Sequence, residues 1–226
     1  MEAVATRPLR KIRAPWLGRL GYDEALALQA DAAARAAGGE ESLLFLEHEP
    51  VFTLGRNASA ADVLFTPERC REMGIAVRET NRGGRVTYHG PGQLVGYPVV
   101  NLAPDRKDVK RYVTDLEEVL IRTLAGFGIH AERSRLRERV TSVWVGDDKI
   151  AAIGIHIARW ITTHGFALNV TEEPLRHFSG IVPCGITDGG VTTMARQLHR
   201  PLTVEELVEP IRARFGEVFG REIIAA

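Results

Sequence analysis

The sequence feature that most constrains the fold is an amphipathic segment near the middle of the chain, residues 108–127. Its apolar residues recur at helical spacing and are Val109, Tyr112, Val113, Leu116, Val119, Leu120, Leu124 and Phe127. Such a stripe marks the buried face of an α-helix. The neighbouring segments 93–102 and 140–170 are rich in β-forming residues, so we expect this helix to cover a β-sheet.

The rest of the chain alternates between strand-like and helix-like segments. Further strands are predicted at residues 14–20, 42–48, 50–55, 75–79 and 85–89, and residues 140–170 predict a meander of three antiparallel strands. Further helices are predicted at residues 22–37, from Pro67 to Gly74, and at residues 203–219, where a Thr203–Glu206 capping box precedes Pro210. Pro210 should kink or split the last helix. We therefore expect an α+β fold, a mixed β-sheet flanked by helices, in a single domain of residues 1–226.

Composition excludes several classes of protein. The 226 residues are 45% hydrophobic, and 29 basic residues balance 29 acidic ones, so no overall charge favours nucleic acid or a membrane surface. The two cysteines, Cys70 and Cys184, are too few for a disulfide framework or a Cys-rich zinc site. We find neither a signal peptide nor a membrane-spanning stretch, and we expect a cytoplasmic protein.

The densest unusual stretch is NRGGRVTYHGPGQLVGYP, residues 81–98. Its glycines allow positive φ angles and close approach of a ligand to the backbone, while Arg82, Arg85 and His89 supply hydrogen-bond donors for carbonyl, carboxylate or phosphate oxygens. Two tight turns between strands are the alternative. The glycines also resemble a dinucleotide fingerprint, but a strand containing Pro98 follows them where a phosphate-binding helix is required. We therefore reject a dinucleotide site.

Cys184 is the candidate nucleophile because it lies in a Gly/Pro-flanked loop, GIVPCGITDGG, where a turn can expose its sulfur. A small buried hydrophobic residue is the alternative for any single cysteine. Lys149, which opens the apolar strand KIAAIGIHI, could favour the thiolate, although a solvated surface lysine is equally consistent with its position. Rival bases are His156, His164 and His177. The spacings typical of metal sites, such as CxxC and HExxH, are absent, so we expect no metal.

Four motifs in order resemble one known family. They are HEPVFTLGR, RGGRVTYHGPGQLVGYPVVNL, KIAAIGIHIARWITTHGFALNV and PCGI, between residues 48 and 187. Together they resemble the lipoyl(octanoyl) transferases, also called lipoate-protein ligase B. The resemblance covers nearly the whole chain and implies the biotin/lipoate protein ligase fold, a mixed sheet flanked by helices.

The resemblance also implies a reaction and its residues. An octanoyl group passes from octanoyl-acyl carrier protein to a lysine of a lipoyl domain, with no cofactor and no ATP. Cys184 is implied as the acyl-thioester nucleophile and Lys149 as the group that lowers its pKa. The implied substrate-binding residues are Arg82, Gly83, Gly84, Arg85, Val86, Thr87, Tyr88 and His89, then Ala152, Ile153 and Gly154, and then Gly165, Phe166 and Ala167.

The implied partners are proteins, with no nucleic acid and no membrane. The donor is octanoyl-acyl carrier protein, and the acceptors are the lipoyl domains of 2-oxoacid dehydrogenases and the glycine cleavage H protein. The arginines at 133–139 or those at 7–13 could dock an acidic carrier protein, or could be a solvated basic face. Three other functions stay open: an ATP-dependent lipoate or biotin ligase, a cysteine hydrolase pairing Cys184 with a histidine, and a module that binds acyl proteins without turnover.

Overall fold

The computed structural model describes residues 9–103, 106–134, 141–182 and 190–224. The strands are β1 (Arg10–Arg13), β2 (Trp16–Leu20), β3 (Glu41–His48), β4 (Val51–Leu54), β5 (Ala76–Glu79), β6 (Val86–His89), β7 (Gln93–Val99), β8 (Glu132–Arg133), β9 (Ser142–Val145), β10 (Asp148–Ala158), β11 (Ile161–Asn169), β12 (Gly190–Val191) and β13 (Arg221–Ile224). The helices are α1 (Tyr22–Ala37), α2 (Pro67–Glu72), α3 (Val109–Gly126), α4 (Leu175–Phe178), α5 (Met194–Leu198) and α6 (Val208–Phe219).

Most of the strands form one large mixed sheet in the order β13-β1-β3-β7-β11-β10-β9-β8, with β2 also pairing β3 and β12 also pairing β10. Strand β1 runs parallel to β3 and β13, whereas β3, β7, β11, β10 and β9 are antiparallel to their successive neighbours. The predicted meander at residues 140–170 is therefore confirmed as β9, β10 and β11.

Three strands separate from this sheet. Strand β4 pairs in parallel with β5 and antiparallel with β6, and the described residues of these strands make a small second sheet. The sequence predicts the three strands but not their separation from the central sheet. One face of the small sheet carries an apolar cluster that includes Phe52, Val86, Tyr88 and Cys70 of α2.

Helices cover both faces of the large sheet, which confirms the predicted α+β class. On one face, Tyr112 and Leu116 of α3 and Phe215 of α6 pack with Phe45 and Phe166 of the sheet. On the other face, the alanines of α1 pack against Leu44, Leu46, Val95 and Tyr97. Because strand residues alternate between faces, adjacent residues of one strand belong to different cores. This alternation decides which predicted site residues can meet.

The long helices follow their sequence signals closely. Helix α1 has the predicted bounds, and Asp108 caps α3 by accepting a hydrogen bond from the Arg111 backbone N–H at 2.9 Å. Near the C-terminus, the Thr203 N–H donates to Glu206 Oε1 at 2.7 Å, as the capping box predicts. A 3-10 turn at Glu205–Leu207 precedes α6, so the predicted helix is split, with Pro210 in the first turn of α6. Among the described helices, none has the length and apolar character needed to cross a bilayer.

A buried ionic network joins the strands near the two ends of the described chain. Glu41 on β3, which is 1% exposed, accepts from Arg221 Nε of β13 at 2.7 Å and lies 2.6 Å from Arg10 Nη2 of β1. The Asn101 N–H also donates to its carboxylate at 2.9 Å. A buried carboxylate needs such partners to offset the loss of hydration. The network thereby fixes β13 and β1 beside β3.

Candidate active site

The candidate site lies where the small sheet meets the α1 face of the large sheet. Strand β6 alternates: Val86 and Tyr88 belong to the apolar core on the far side, whereas His89 lies near Tyr22 and His48. The ring centroid of His89 is 6.5 Å from that of Tyr22 and 5.7 Å from that of His48. Of the predicted 82–89 segment, therefore, only alternate strand residues face the large sheet.

Arg82 fixes the glycine-rich loop from within the protein. Its side chain is buried, with Nε donating to Thr53 Oγ1 at 3.2 Å, Nη2 to the Thr53 carbonyl at 2.5 Å and Nη1 to the Gly83 carbonyl at 3.0 Å. The Gly83 N–H donates to the carbonyl of Ile155 at 2.8 Å, which holds the loop against β10. A Cβ at Gly154 would lie 3.1 Å from the Gly83 carbonyl oxygen, so the close approach favours glycine there.

Arg85 and Gly84 have different roles in the same loop. The Arg85 guanidinium donates to Asp62 Oδ1 at 2.5 Å, and its side chain remains 43% exposed. This contact lowers the pKa of Asp62 because the guanidinium hydrogen-bonds the carboxylate. Gly84 takes a φ of 86°, a conformation that glycine adopts without strain. Arg85 is thus at the rim of the loop and Arg82 at its centre.

The two predicted segments on β10 and β11 also divide by alternation. Ala152 pairs with Ala167, and Ala167 packs in the α1 core, so both lie on the same side of the large sheet as that helix. Ile153 and Phe166 pair with each other and pack in the opposite core under α3 and α6. Gly165 permits close strand contact, because a Cβ there would lie 2.2 Å from the Gly96 carbonyl oxygen.

Histidine 48 and Tyr97 form a buried hydrogen-bonded pair. The Leu20 carbonyl lies 3.3 Å from His48 Nδ1 and can only accept, so Nδ1 carries the proton and Nε2 accepts from the Tyr97 hydroxyl at 2.6 Å. Burial lowers the pKa of His48 to about 4 and raises the pKa of Tyr97 well above its ordinary value. Both side chains are therefore uncharged at neutral pH.

His164 joins three elements in an unusual backbone conformation. Its φ is 56°, its N–H donates to Gln29 Oε1 of α1 at 2.7 Å, and its Nε2 lies 2.8 Å from Asn81 Oδ1. Its ring meets that of Tyr97 edge to face at 6.2 Å. Burial, and secondly the charge of Arg82, lowers its pKa to about 4. A non-glycine residue held at positive φ inside a strand is a common sign of a functional site.

A chain of hydrogen bonds connects His89 to the strand that carries Lys149. His89 Nδ1 lies 2.7 Å from Gln93 Oε1, Gln93 Nε2 donates to Asn169 Oδ1 at 2.9 Å, and Asn169 Nδ2 donates to the Thr192 carbonyl at 3.1 Å. The Thr192 N–H then donates to the Lys149 carbonyl at 3.0 Å. Burial lowers the pKa of His89 well below its ordinary value, so this histidine is also neutral.

Lys149 is a buried residue and not a solvated one. Its exposed fraction is 3%, which contradicts the surface-lysine alternative. A β-bulge lies between Lys149 and Ala151, and both Ile150 and Ala151 pack in the core under α3. Because Ile150 and Ala151 face the same core in succession, Lys149 lies on the opposite face of the strand, together with Ala152. The bulge thereby turns the lysine toward the Arg82 loop side of the sheet.

Cys184 lies outside the described residues, within 183–189. The residues that flank this segment are described: the Val182 N–H donates to the Asp62 carbonyl at 2.9 Å, and Val191 pairs with Lys149. The other cysteine, Cys70, is 3% exposed on α2, and burial raises the pKa of its thiol. Buried thiols of raised pKa are inert, so Cys70 has the character of a core residue.

Two further sets of residues were candidates from the sequence. Arg133 is paired with Glu117 at 3.2 Å and with Glu118 at 2.5 Å, which reduces its capacity to dock another protein; Arg135, Arg137 and Arg139 lie outside the described residues. Of the rival bases, His164 belongs to the polar cluster, whereas the His177 ring lies tilted by 37° against that of Tyr88, with ring centroids 4.8 Å apart. Within the described ranges, no three His, Cys, Asp or Glu side chains are grouped as metal ligands.

Sequence reasoning missed five polar residues of the site: Tyr22, His48, Gln93, Tyr97 and Asn169. All are buried. The sequence did carry a signal for four of them, because they are polar residues within or at the ends of strands whose other residues are apolar and buried. A buried polar residue requires a hydrogen-bond partner, and partners on other strands cannot be identified from local spacing.

Comparison with known proteins places this architecture in a family. The lipoyl protein ligase A/B catalytic domain matches residues 21–216. A relative from Caldicellulosiruptor bescii named octanoyltransferase is 46% identical over 211 residues, covering 92% of this chain and 91% of its own. Lipoate-protein ligase A bound with ATP superposes with a TM-score of 0.79 at 18% identity, covering 96% of this chain and 88% of its own.

A second solved structure supports the same fold. A structure described as that of a bi-partite lipoate protein ligase and its E2 lipoyl domain from Thermoplasma acidophilum has a TM-score of 0.75 at 18% identity, covering 96% of this chain and 86% of its own. These likenesses confirm the predicted ligase-type fold, and the relatives' shared name confirms the prediction of an acyltransferase. The chain belongs to the lipoyl protein ligase A/B family and, within it, to the octanoyltransferases.

Proposed function

We propose that this protein transfers an octanoyl group from octanoyl-acyl carrier protein to a lysine of lipoyl domains, through a thioester on Cys184. The acceptors would be the lipoyl domains of 2-oxoacid dehydrogenases and the glycine cleavage H protein, and residues 1–226 would act as a single catalytic domain. The relatives named octanoyltransferase, at 46% identity, support the acyl group and the reaction class. The thioester intermediate and the partners are the further content of the proposal.

The observation that carries the proposal is the position of Lys149. Burying a lysine side chain is costly because its charged form loses hydration. Buried ionisable groups are therefore found most often at functional sites. The described residues on either side of 183–189 contact two parts of the site: Val191 pairs with Lys149, and the Val182 N–H donates to the carbonyl of Asp62, whose carboxylate holds Arg85 of the glycine-rich loop. We therefore pair Lys149 with Cys184 in the proposed reaction.

In the first step, the Cys184 thiolate attacks the carbonyl carbon of the octanoyl thioester. A new carbon–sulfur bond forms to Cys184, the bond to the carrier breaks, and the carrier thiolate takes a proton from the Lys149 ammonium. A free thiol of pKa about 8.5 is only a few per cent ionised at neutral pH, so a neighbouring ammonium increases the reactive fraction. One thioester replaces another, so the exchange requires no nucleotide.

In the second step, the neutral amine of the acceptor lysine attacks the same carbonyl carbon. A carbon–nitrogen bond forms and the bond to Cys184 breaks. The proton released by the amine passes to neutral Lys149, which restores the thiolate and ammonium pair. The product is an amide, which is more stable than the thioester, and this difference drives the transfer.

We assign the acyl chain to the surface formed by Ala152, Gly154 and Ala167 beneath the Arg82 loop. Ala152 pairs with Ala167 across β10 and β11, and the Gly83 carbonyl oxygen of the loop lies against Gly154, so these three small residues are the part of the α1 face that meets the loop. Burying about seven carbons at about 0.8 kcal/mol each gives on the order of 5 kcal/mol, which separates octanoyl from very short chains. One methylene more or less changes binding by only about tenfold.

The test is intact-mass analysis after mixing the protein with octanoyl-acyl carrier protein and no acceptor. We expect the wild type to gain one octanoyl group, which a lipoyl domain then removes as its own mass rises. Cys184→Ser and Lys149→Ala should show little or no gain. Cys70→Ser is the matched control and should behave as the wild type. Acylation of Cys184→Ser at the wild-type rate, or transfer only with ATP, would contradict the proposal.

A further inference from the structure

The buried amides of Gln93 and Asn169 determine which nitrogen of His89 carries its proton. The Thr192 carbonyl can only accept, so the Asn169 amide must present Nδ2 to it and Oδ1 to Gln93. Gln93 must then present Nε2, which also donates to the Tyr88 carbonyl at 3.3 Å. Its Oε1 therefore faces His89 Nδ1 at 2.7 Å. The proton of neutral His89 lies on Nδ1.

This assignment leaves His89 Nε2 as a fixed hydrogen-bond acceptor. No donor in the part of the chain that the structure describes makes a hydrogen bond to this nitrogen. The residue as a whole is 7% exposed. Tyr22 stacks nearly parallel to the imidazole, with 9° between the planes, and the His48 ring lies next to both, 5.1 Å from Tyr22 and 5.7 Å from His89. An acceptor atom on a side chain that a rigid network holds in place, and that receives no hydrogen bond from the described residues, is suited to receive one from a ligand.

We propose that His89 Nε2 accepts a hydrogen bond from the attacking amine of the acceptor lysine, with Gln93 and Asn169 as positioning residues. The inference rests on the proposed function. That amine is the reactant with N–H groups at the reacting centre, and its nitrogen lone pair must be free to attack the acyl carbon. A hydrogen bond from one amine N–H to His89 orients that lone pair.

The proton balance keeps His89 and Lys149 distinct. The carbon–nitrogen bond forms and the carbon–sulfur bond breaks as in the second step above, and the released proton goes to Lys149. His89 holds its own proton on Nδ1 throughout and only accepts the hydrogen bond. The hydrogen-bond chain from His89 reaches the Lys149 carbonyl through Thr192. The amides of Gln93 and Asn169 therefore fix both His89 Nε2 and the strand that carries Lys149.

Two measurements test the inference. In the wild type, ¹⁵N NMR of the imidazoles, with His89 assigned from the His89→Asn variant, should show neutral His89 protonated on Nδ1 at neutral pH. Protonation on Nε2, or an imidazolium, would overturn the inference. This readout needs no activity, and therefore it stands even if the protein forms no acyl-enzyme and the proposed function fails.

The second measurement separates the two half-reactions by single turnover. His89→Asn keeps a donor toward Gln93 and removes the acceptor, so transfer to a lipoyl domain should slow by about tenfold to a hundredfold more than acyl-enzyme formation does. His89→Gln, which can place an oxygen near the Nε2 position, should recover part of that loss. Equal slowing of both half-reactions by His89→Asn, with wild-type acylation intact, would overturn the inference.

Discussion

Acidification should destabilise this protein through its buried neutral histidines. His48 and His164 take up a proton near pH 4 in the folded protein, against 6.5 for the ordinary side chain, because burial disfavours their charged forms. Between these values the unfolded chain binds protons that the native protein does not. Stability is therefore fully present above about pH 6.5 and is lost as the pH falls toward 4.

The size of the effect follows from the same values. At pH 5 each of the two histidines lowers the free energy of unfolding by about 2 kcal/mol relative to pH 7.5. We expect urea unfolding of His48→Gln to lose about 2 kcal/mol less than the wild type between those pH values, whatever its stability at pH 7.5. His130→Gln, at an exposed position, is the control. Equal losses for His48→Gln and the wild type would refute the reasoning.

Three further predictions concern the core and the chemistry. Glu41→Ala should cost about 3–5 kcal/mol in urea unfolding by removing the carboxylate that neutralises the buried Arg221 guanidinium and also pairs with Arg10, whereas exposed Glu222→Ala should cost under about 1 kcal/mol; similar costs would contradict the buried network. Gly165→Ala should lower the free energy of unfolding by at least about 2 kcal/mol because the new Cβ would overlap the Gly96 carbonyl oxygen. Gly126→Ala, where the Cβ enters open space, should be neutral or stabilising in the same assay. Lys149→Arg should accumulate acyl-enzyme in intact-mass spectra, since a guanidinium cannot accept the second proton, and normal turnover would exclude Lys149 as the base.

The parts of the fold that could be predicted from sequence are those whose signals are local. Helix α1, helix α3 and the β9–β11 meander carry their periodicity, caps and turns within their own segments. Strand β13 was missed because its pairing with β1 connects residues more than 200 positions apart. Helix α4 was missed because four residues carry no periodic pattern.

The candidate site shows the same division. Arg82, His89 and Lys149 could be proposed from the composition of their motifs, and the structure places Arg82 and His89 in one buried cluster. Their partners Gln93 and Asn169 could not be proposed, because a buried amide in an apolar strand becomes meaningful only once its neighbour is known. The strands that bring these residues together pair over 76 positions.

The orientation of Lys149 is the clearest case in which pattern alone would mislead. Counting alternation back from Ala152, which lies on the α1 face, assigns Ile150 to that face and Lys149 to the apolar core under α3. A lysine there would face Leu116 and Val143 with no polar partner, a costly arrangement that argues for a surface role or a strand end. The bulge at Ile150 adds one residue, keeps both Ile150 and Ala151 in that core and reverses the lysine. Deleting Ile150 alone would place Lys149 directly before Ala151 and keep the lysine on the α1 face, so acyl transfer should survive this deletion far better than deletion of Ile150 and Ala151 together, which turns Lys149 into the core under α3.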